Sequence, residues 1–170
     1  MSGPMTNQAP ENFYATLATK RIGAGMLFTD AADRVLLVEP QYKPTWEVPG
    51  GAVEANESPF AAARRETTEE LGLTRGPGTL LVLDWVPQRG QRTEALMMLF
   101  DGGQLTDADT AAIVLPADEL RSYKFCTPDE AAHRLSPLLT RRVAAALHAR
   151  THGVACLHDG VSVYPHGGPA

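Results

Sequence analysis

Two cysteines, Cys126 and Cys156, are too few and too isolated to form a disulfide framework in 170 residues. Neither lies in a CxxC pair or a zinc-type spacing, so they read as ordinary thiols of a reducing, cytoplasmic compartment. No stretch of about 18 apolar residues is present, which excludes a helical membrane span. The first ten residues lack a basic segment followed by an apolar one, so a secretory signal is not expected, and residues 1–12 read as a mobile tail. Excess positive charge is also missing. The net charge is −5 with no basic stripe, which favours neither nucleic acid nor an anionic membrane as partner. None of the five histidines has the paired spacing of a metal site, and no internal repeat is visible.

What remains is an ordinary globular composition, 44% hydrophobic, enough for one core spanning residues 13–150. The apolar runs Ile22 to Thr29 and Arg34 to Glu39, joined by a turn at 30–33, read as a β-hairpin. Thr79 to Val86 and Thr93 to Phe100 read as two further strands, with Gly102-Gly103 ending the second. Thr110 to Leu115 is expected to be another strand, and Ala117 to Leu120 a turn or short helix. Thr127 to Arg134 and Ser136 to Arg150 read as helices. Residues 151–170 form an extension with a hairpin signal at Asp159-Gly160. Such a hairpin must pack on the domain or on a partner subunit. Strands with intervening helices imply a layered α/β fold.

The clearest helix runs from Pro59 to Leu71. Ser58 suits the N-cap, Pro59 the first turn and Gly72 the stop, and Phe60, Ala63, Thr67 and Leu71 recur as a core-facing stripe. Glu66, Glu69 and Glu70 fall within an arc of about 100° away from that stripe. Like charges at i,i+4 and acids in the last turn, against the helix dipole, are locally unfavourable, and such violations tend to mark function. A divalent cation would reverse the sign, and oxygen-only ligands point to Mg²⁺ or Mn²⁺. On the helix alone, a solvated acidic face with an Arg65–Glu69 surface pair is the commoner explanation. The flanking residues change that.

Residues 51–73 read G-AVEAN-E-SPFAAAR-R-E-T-T-E-E-L-G-L. This resembles the Nudix box, G-x5-E-x7-R-E-U-x-E-E-x-G-U with U aliphatic, of MutT-like pyrophosphohydrolases. Gly51, Glu57, Arg65, Glu66, Glu69, Glu70 and Gly72 match in register, a coincidence on the order of 10⁻⁸ per window at average usage. Leu73 fits as well. Thr67 departs from the aliphatic position. Its methyl can pack while its hydroxyl bonds a carbonyl one turn back, so a small loss of helix stability is expected.

The resemblance implies an α/β/α sandwich with a mixed β-sheet, and hydrolysis of the pyrophosphate bond in a nucleoside diphosphate linked to another moiety. A nucleoside triphosphate, ADP-ribose and a nucleotide sugar all fit. By the same resemblance Glu66, Glu70, Glu69 and the Gly50 carbonyl would hold the metal, and Arg65 would hold Glu57 and orient the cluster. The general base stays open among Glu69, Asp107, Asp109, Asp118 and Glu119. Trp46, Glu47, Lys43 and Gly51 are candidate substrate contacts, although Trp46 suits a core and Lys43 a surface equally well. A small-molecule substrate and a homodimer fit the family. The alternative is a Nudix-fold module that binds a nucleotide without cleaving it.

Overall fold

The computed structural model describes residues 12–163; the tail expected over residues 1–12 lies almost wholly outside the described residues, as does the end of the extension. After a single 3₁₀ turn, Tyr14–Thr16, the chain forms β1 (Arg21–Thr29), β2 (Val35–Pro40), β3 (Gly50–Ala52), α1 (Pro59–Leu71), β4 (Leu80–Val86) and β5 (Ala95–Gln104). Then follow α2 (Asp107–Ala111), β6 (Leu120–Cys126), α3 (Pro128–Arg134), α4 (Pro137–His152), β7 (Ala155–His158) and β8 (Val161–Ser162). The strands make one mixed sheet in the order β6-β2-β1-β5-β4-β7-β8, with β3 pairing β1 off that path.

β1 is buried almost throughout because it is the centre of the sheet. It runs parallel to β5 along its whole length, while its other edge is shared between two partners. Gly23, Ala24 and Gly25 pair with β3, and Thr29 pairs with Val35 of β2. The expected β1–β2 hairpin is therefore confined to its turn end. Beyond it the strands part, and β3 enters the gap.

Apolar side chains cover both faces. Leu27, Leu37, Val82 and Leu99 meet α3 and α4 on one side, while Met26, Phe28, Leu36 and Val38 meet α1 on the other. This is the three-layer arrangement expected of strands buried on both faces. β7 adds to the sheet beside β4 in parallel, and β8 turns back on it through Asp159 and Gly160.

Three expectations need correction. Thr110 to Leu115 is not a strand. Thr106 caps a short helix instead: its hydroxyl accepts from the Asp109 N–H, and the Asp109 carboxylate accepts from the Thr106 N–H. The strand that follows, β6, went unassigned, although Tyr123, Phe125 and Cys126 suit one. Gly102-Gly103 does not end β5. The strand continues to Gln104 through a bulge opposite Leu27/Phe28, and a side chain at Gly102 would collide with the Phe28 ring.

Candidate active site

Local signals place α1 firmly. Ser58 accepts from the Ala61 N–H, Pro59 occupies the first turn, and Gly72 stops the helix in the left-handed region at φ 70°. Thr67 is fully buried. Its hydroxyl donates to the Ala63 carbonyl at 2.9 Å and touches the Met26 sulfur, so the polar atom carries no unmet hydrogen bond. Phe60 is not on the core stripe. It is 49% exposed and rests edge-on against Phe100 at the rim.

The three glutamates share a face but not an environment. Glu69 lies outermost, its side chain 55% exposed; the Glu66 side chain is 14% exposed, and Glu70, at 7%, is buried beside the core. This corrects the expectation that all three stand clear of the packed side. Turning the helix to bury Ala62, Ala63 and Leu71 carries Glu70 inward with them.

β3 closes over this face. The Gly50 N–H donates to Glu70 Oε2 at 2.8 Å. Gly50 has φ 146°, and a side chain there would strike the backbone at Ala24 and Gly25. At Gly51 a Cβ would strike the Glu66 carboxylate. Both positions therefore need glycine so that backbone can lie against the acids.

Arg65 joins the pieces. It grips Glu57 with two hydrogen bonds of 3.0 Å, reaches Glu66 at 2.8 Å and Glu69 at 3.0 Å, and donates to the Ala52 carbonyl at 3.0 Å. Glu57 also accepts from the Glu54 N–H, which fixes the loop before α1. These donors hold Glu57 below the usual carboxylate range, Arg65 foremost. The same neighbours raise the Arg65 pKa, Glu57 again foremost.

Glu66 and Glu70 shift the other way. Burial, reinforced by the charges of Glu69 and Glu119, pushes Glu66 up despite Arg65. Burial also pushes Glu70 to about 8, against the Gly50 N–H and with help from Glu66, Glu119 and Glu47. The lone backbone donor does not offset this much desolvation and like charge. Among the described residues no group of three or more acidic, histidine or cysteine side chains is drawn together as a ready-made metal cage. The chemistry of the donor set nevertheless fits a hard cation. A buried carboxylate crowded by acids lacks only positive charge, and Glu66 and Glu70 carry no ligand other than oxygen.

Glu119, in the turn before β6, adds negative charge at both Glu66 and Glu70. Asp109 is spent on the α2 cap and on Arg75 at 2.7 Å. Asp107 and Asp118 are exposed.

A cleft of about 740 Å³ opens beside β3 on the α4 side. Glu47, Gly50, Gly51 and Glu57 line it, so it meets the acidic cluster at the β3 backbone. Trp46 and Lys43 do not line it. Trp46 packs against the α3–α4 core with the Arg134 guanidinium 5.5 Å above its ring, and Lys43 is paired with Glu47. The cleft lining also includes Arg21, Arg89, Arg92 and Arg142, none of which the sequence singled out. They are scattered over 122 positions of chain order between β1 and α4, with no local pattern to join them.

The layering is that of the Nudix fold. The structure superposes on a MutT protein of Methanosarcina mazei with a TM-score of 0.65 at 20% identity, covering 80% of this chain and 99% of that one. The chain belongs to the Nudix family: the NUDIX domain matches residues 19–147. Among curated relatives, diphosphoinositol polyphosphate phosphohydrolase 2 of Rattus norvegicus is 40% identical over 75 residues, 44% of this chain and 42% of that protein. A MutT-like protein of Streptomyces ambofaciens is 27% identical over 135 residues, 79% of this chain and 80% of the other. The RNA pyrophosphohydrolase of Halorhodospira halophila is matched over 34% of its length, so the chain spans well under half of the first of these relatives and of this one. Among the described residues no helix is long and apolar enough to cross a membrane.

Proposed function

We propose that this chain is a metal-dependent pyrophosphohydrolase that cuts the pyrophosphate bond in a nucleoside diphosphate linked to another moiety. One observation carries the reading: Glu70 is 7% exposed and crowded by Glu66, Glu119 and Glu47, so that burial first and these charges next push its carboxyl up to about 8, and a cation there would favour its charge. Glu66 and Glu70, with Glu69 nearer solvent and the Gly50 carbonyl beside them, would hold Mg²⁺ or Mn²⁺. When bound, the cation supplies neutralisation of the pyrophosphate oxygens and a more acidic water.

The chain's own residues do the rest. Arg65 fixes Glu57, Glu66 and Glu69 in one relative geometry, so the acids need not reorganise when the cation enters. Gly50 and Gly51 line the cleft and let β3 lie against β1 and the Glu66 carboxylate, where a Cβ would collide. We assign the general base to Glu119 rather than to Glu69, which is tied to Arg65 at 3.0 Å. Lys43 and Trp46 stand outside the cleft and have no part in this reading. The related diphosphoinositol polyphosphate phosphohydrolase and RNA pyrophosphohydrolase have the diphosphate linkage as their shared element. The two free thiols fit a cytoplasmic setting.

The test is a hydrolysis screen over nucleoside triphosphates, ADP-ribose and nucleotide sugars with Mg²⁺ and with Mn²⁺, products identified by mass. Release of a nucleoside monophosphate is the expected outcome. Tight nucleotide binding with no cleavage of any member of the panel would favour a sensor module instead.

A further inference from the structure

The cleft lining carries both charges. From β3 and its flanking loops come Glu47, Glu54 and Glu57. From the start of β1, the β4–β5 turn and α4 come five cations: Lys20, Arg21, Arg89, Arg92 and Arg142. Three of them have carboxylate partners: Lys20 with Glu94, Arg89 with Asp159 and Arg142 with Asp84. The Arg21 side chain donates to Thr93, at 3.0 Å to its hydroxyl and 2.5 Å to its carbonyl. Among the described residues neither Arg21 nor Arg92 has a carboxylate partner, in a chain whose net charge is −5.

One of these cations is deeply built in. Arg142 is 8% exposed and Asp84 is fully buried. Arg142 Nε and Nη2 both donate to Asp84 Oδ2, at 3.0 and 2.7 Å, while Asp84 Oδ1 accepts from the Gly160 N–H at 3.1 Å. No protein acceptor is found for Arg142 Nη1 among the described residues, and Arg142 lines the cleft. The Asp159–Gly160 turn thus fixes Arg142 through Asp84 and Arg89 through Asp159. Gly160 has φ 75°, and a Cβ there would press on Leu138 at 2.9 Å, so the turn is seated closely on α4. The C-terminal hairpin therefore sets the basic part of the lining. A guanidinium aimed by a buried acid is a fixed fork for phosphate oxygens.

We infer that Arg21, Arg92 and Arg142 form an anion subsite, and that the preferred substrate carries further phosphate groups on the moiety beyond the scissile diphosphate. This rests on the pyrophosphohydrolase reading for the acidic cluster, but not for the binding itself. With no divalent cation present, the acidic cluster repels a polyphosphate, so metal-free binding reports the basic subsite alone.

The experiment is a calorimetric titration of the full chain with inorganic tripolyphosphate and with orthophosphate, in EDTA. Tripolyphosphate is expected to bind at least about tenfold more tightly than orthophosphate, and more weakly as salt is added. The double substitution Arg21→Glu and Arg92→Glu should weaken it by about tenfold or more. Arg64→Glu, the same charge change on the exposed face of α1, should leave it within about twofold. Circular dichroism and melting of the double variant confirm that a loss is not unfolding. No tripolyphosphate binding up to about 10 mM, or equal losses in the two charge-reversal variants, would overturn the subsite. Failure of the hydrolysis screen with this binding intact would strike the acidic cluster instead.

Discussion

Glu70 on α1 and Glu130 on α3 are the same side chain at opposite ends of two helices, and the fold treats them in opposite ways. Glu130 sits in the first turn of α3. It accepts from the Thr127 N–H at 3.0 Å and from Lys124 at 2.8 Å, and these donors, Lys124 foremost, bring its pKa to about 2. Asp109 on α2 is alike, brought to about 2 by Thr106 foremost, with Arg75 adding to it. Glu70 sits in the last turn of α1 with one N–H donor, and burial takes it to about 8. Helix starts offer free N–H groups and positive potential; helix ends offer the reverse. Where a carboxylate meets donors it closes a structure. Where it is buried with a single donor its charge is disfavoured, and that difference separates the caps from the candidate site.

The sharpest way to break the comparison is Glu70→Gln. Turnover of whichever substrate the screen identifies should fall at least about a hundredfold in kcat/KM, because a neutral amide cannot hold the cation. Undiminished activity would refute the assignment. Next in size is Arg65→Ala, which frees Glu57, Glu66 and Glu69 together. A loss of about tenfold to a hundredfold is expected, and Arg65→Lys should not restore it, since one ammonium cannot span the three acids.

Melting temperature against pH sharpens the contrast without any substrate. Glu70 binds its proton more tightly folded than unfolded, so its contribution to stability is complete below about pH 4.5 and is lost as pH rises through 8. The capping acids act in the other direction. Their contribution is present above the ordinary carboxylate range and is lost as pH falls through about 2. In EDTA the wild-type melting temperature should therefore fall relative to Glu70→Gln between pH 5 and pH 8, and Mg²⁺ at pH 8 should restore it. Parallel curves for the two proteins would show that Glu70 is not held as a neutral carboxyl. The smallest effect is at the cap: Thr127→Ala should cost about 1 kcal/mol, about 2–4 °C of melting temperature, with turnover within about twofold of wild type.

Much of α1 was legible in the chain because its signals are local. Ser58, Pro59, Gly72 and the acid spacing all act within one or two turns, and the helix forms where they place it. The strands were legible where β-branched and aliphatic runs are continuous, as in β1 and β4. Legibility failed where a long-range partner decides. Gly102 reads as a break until Phe28 lies beside it, and Thr110 reads as strand until Asp109 closes a cap on Thr106. Trp46 offered two readings, and packing beneath Arg134 took it away from the cleft.

By itself the sequence determined the helix, its three glutamates, the arginine that binds them and the glycines before them, since each depends on spacing of a few residues along one element. Only the tertiary structure decided which glutamate is buried, that Glu119 joins them, and that arginines from β1, the β4–β5 turn and α4 line one cleft. Burial and convergence arise when distant segments pack together, and no local spacing records them.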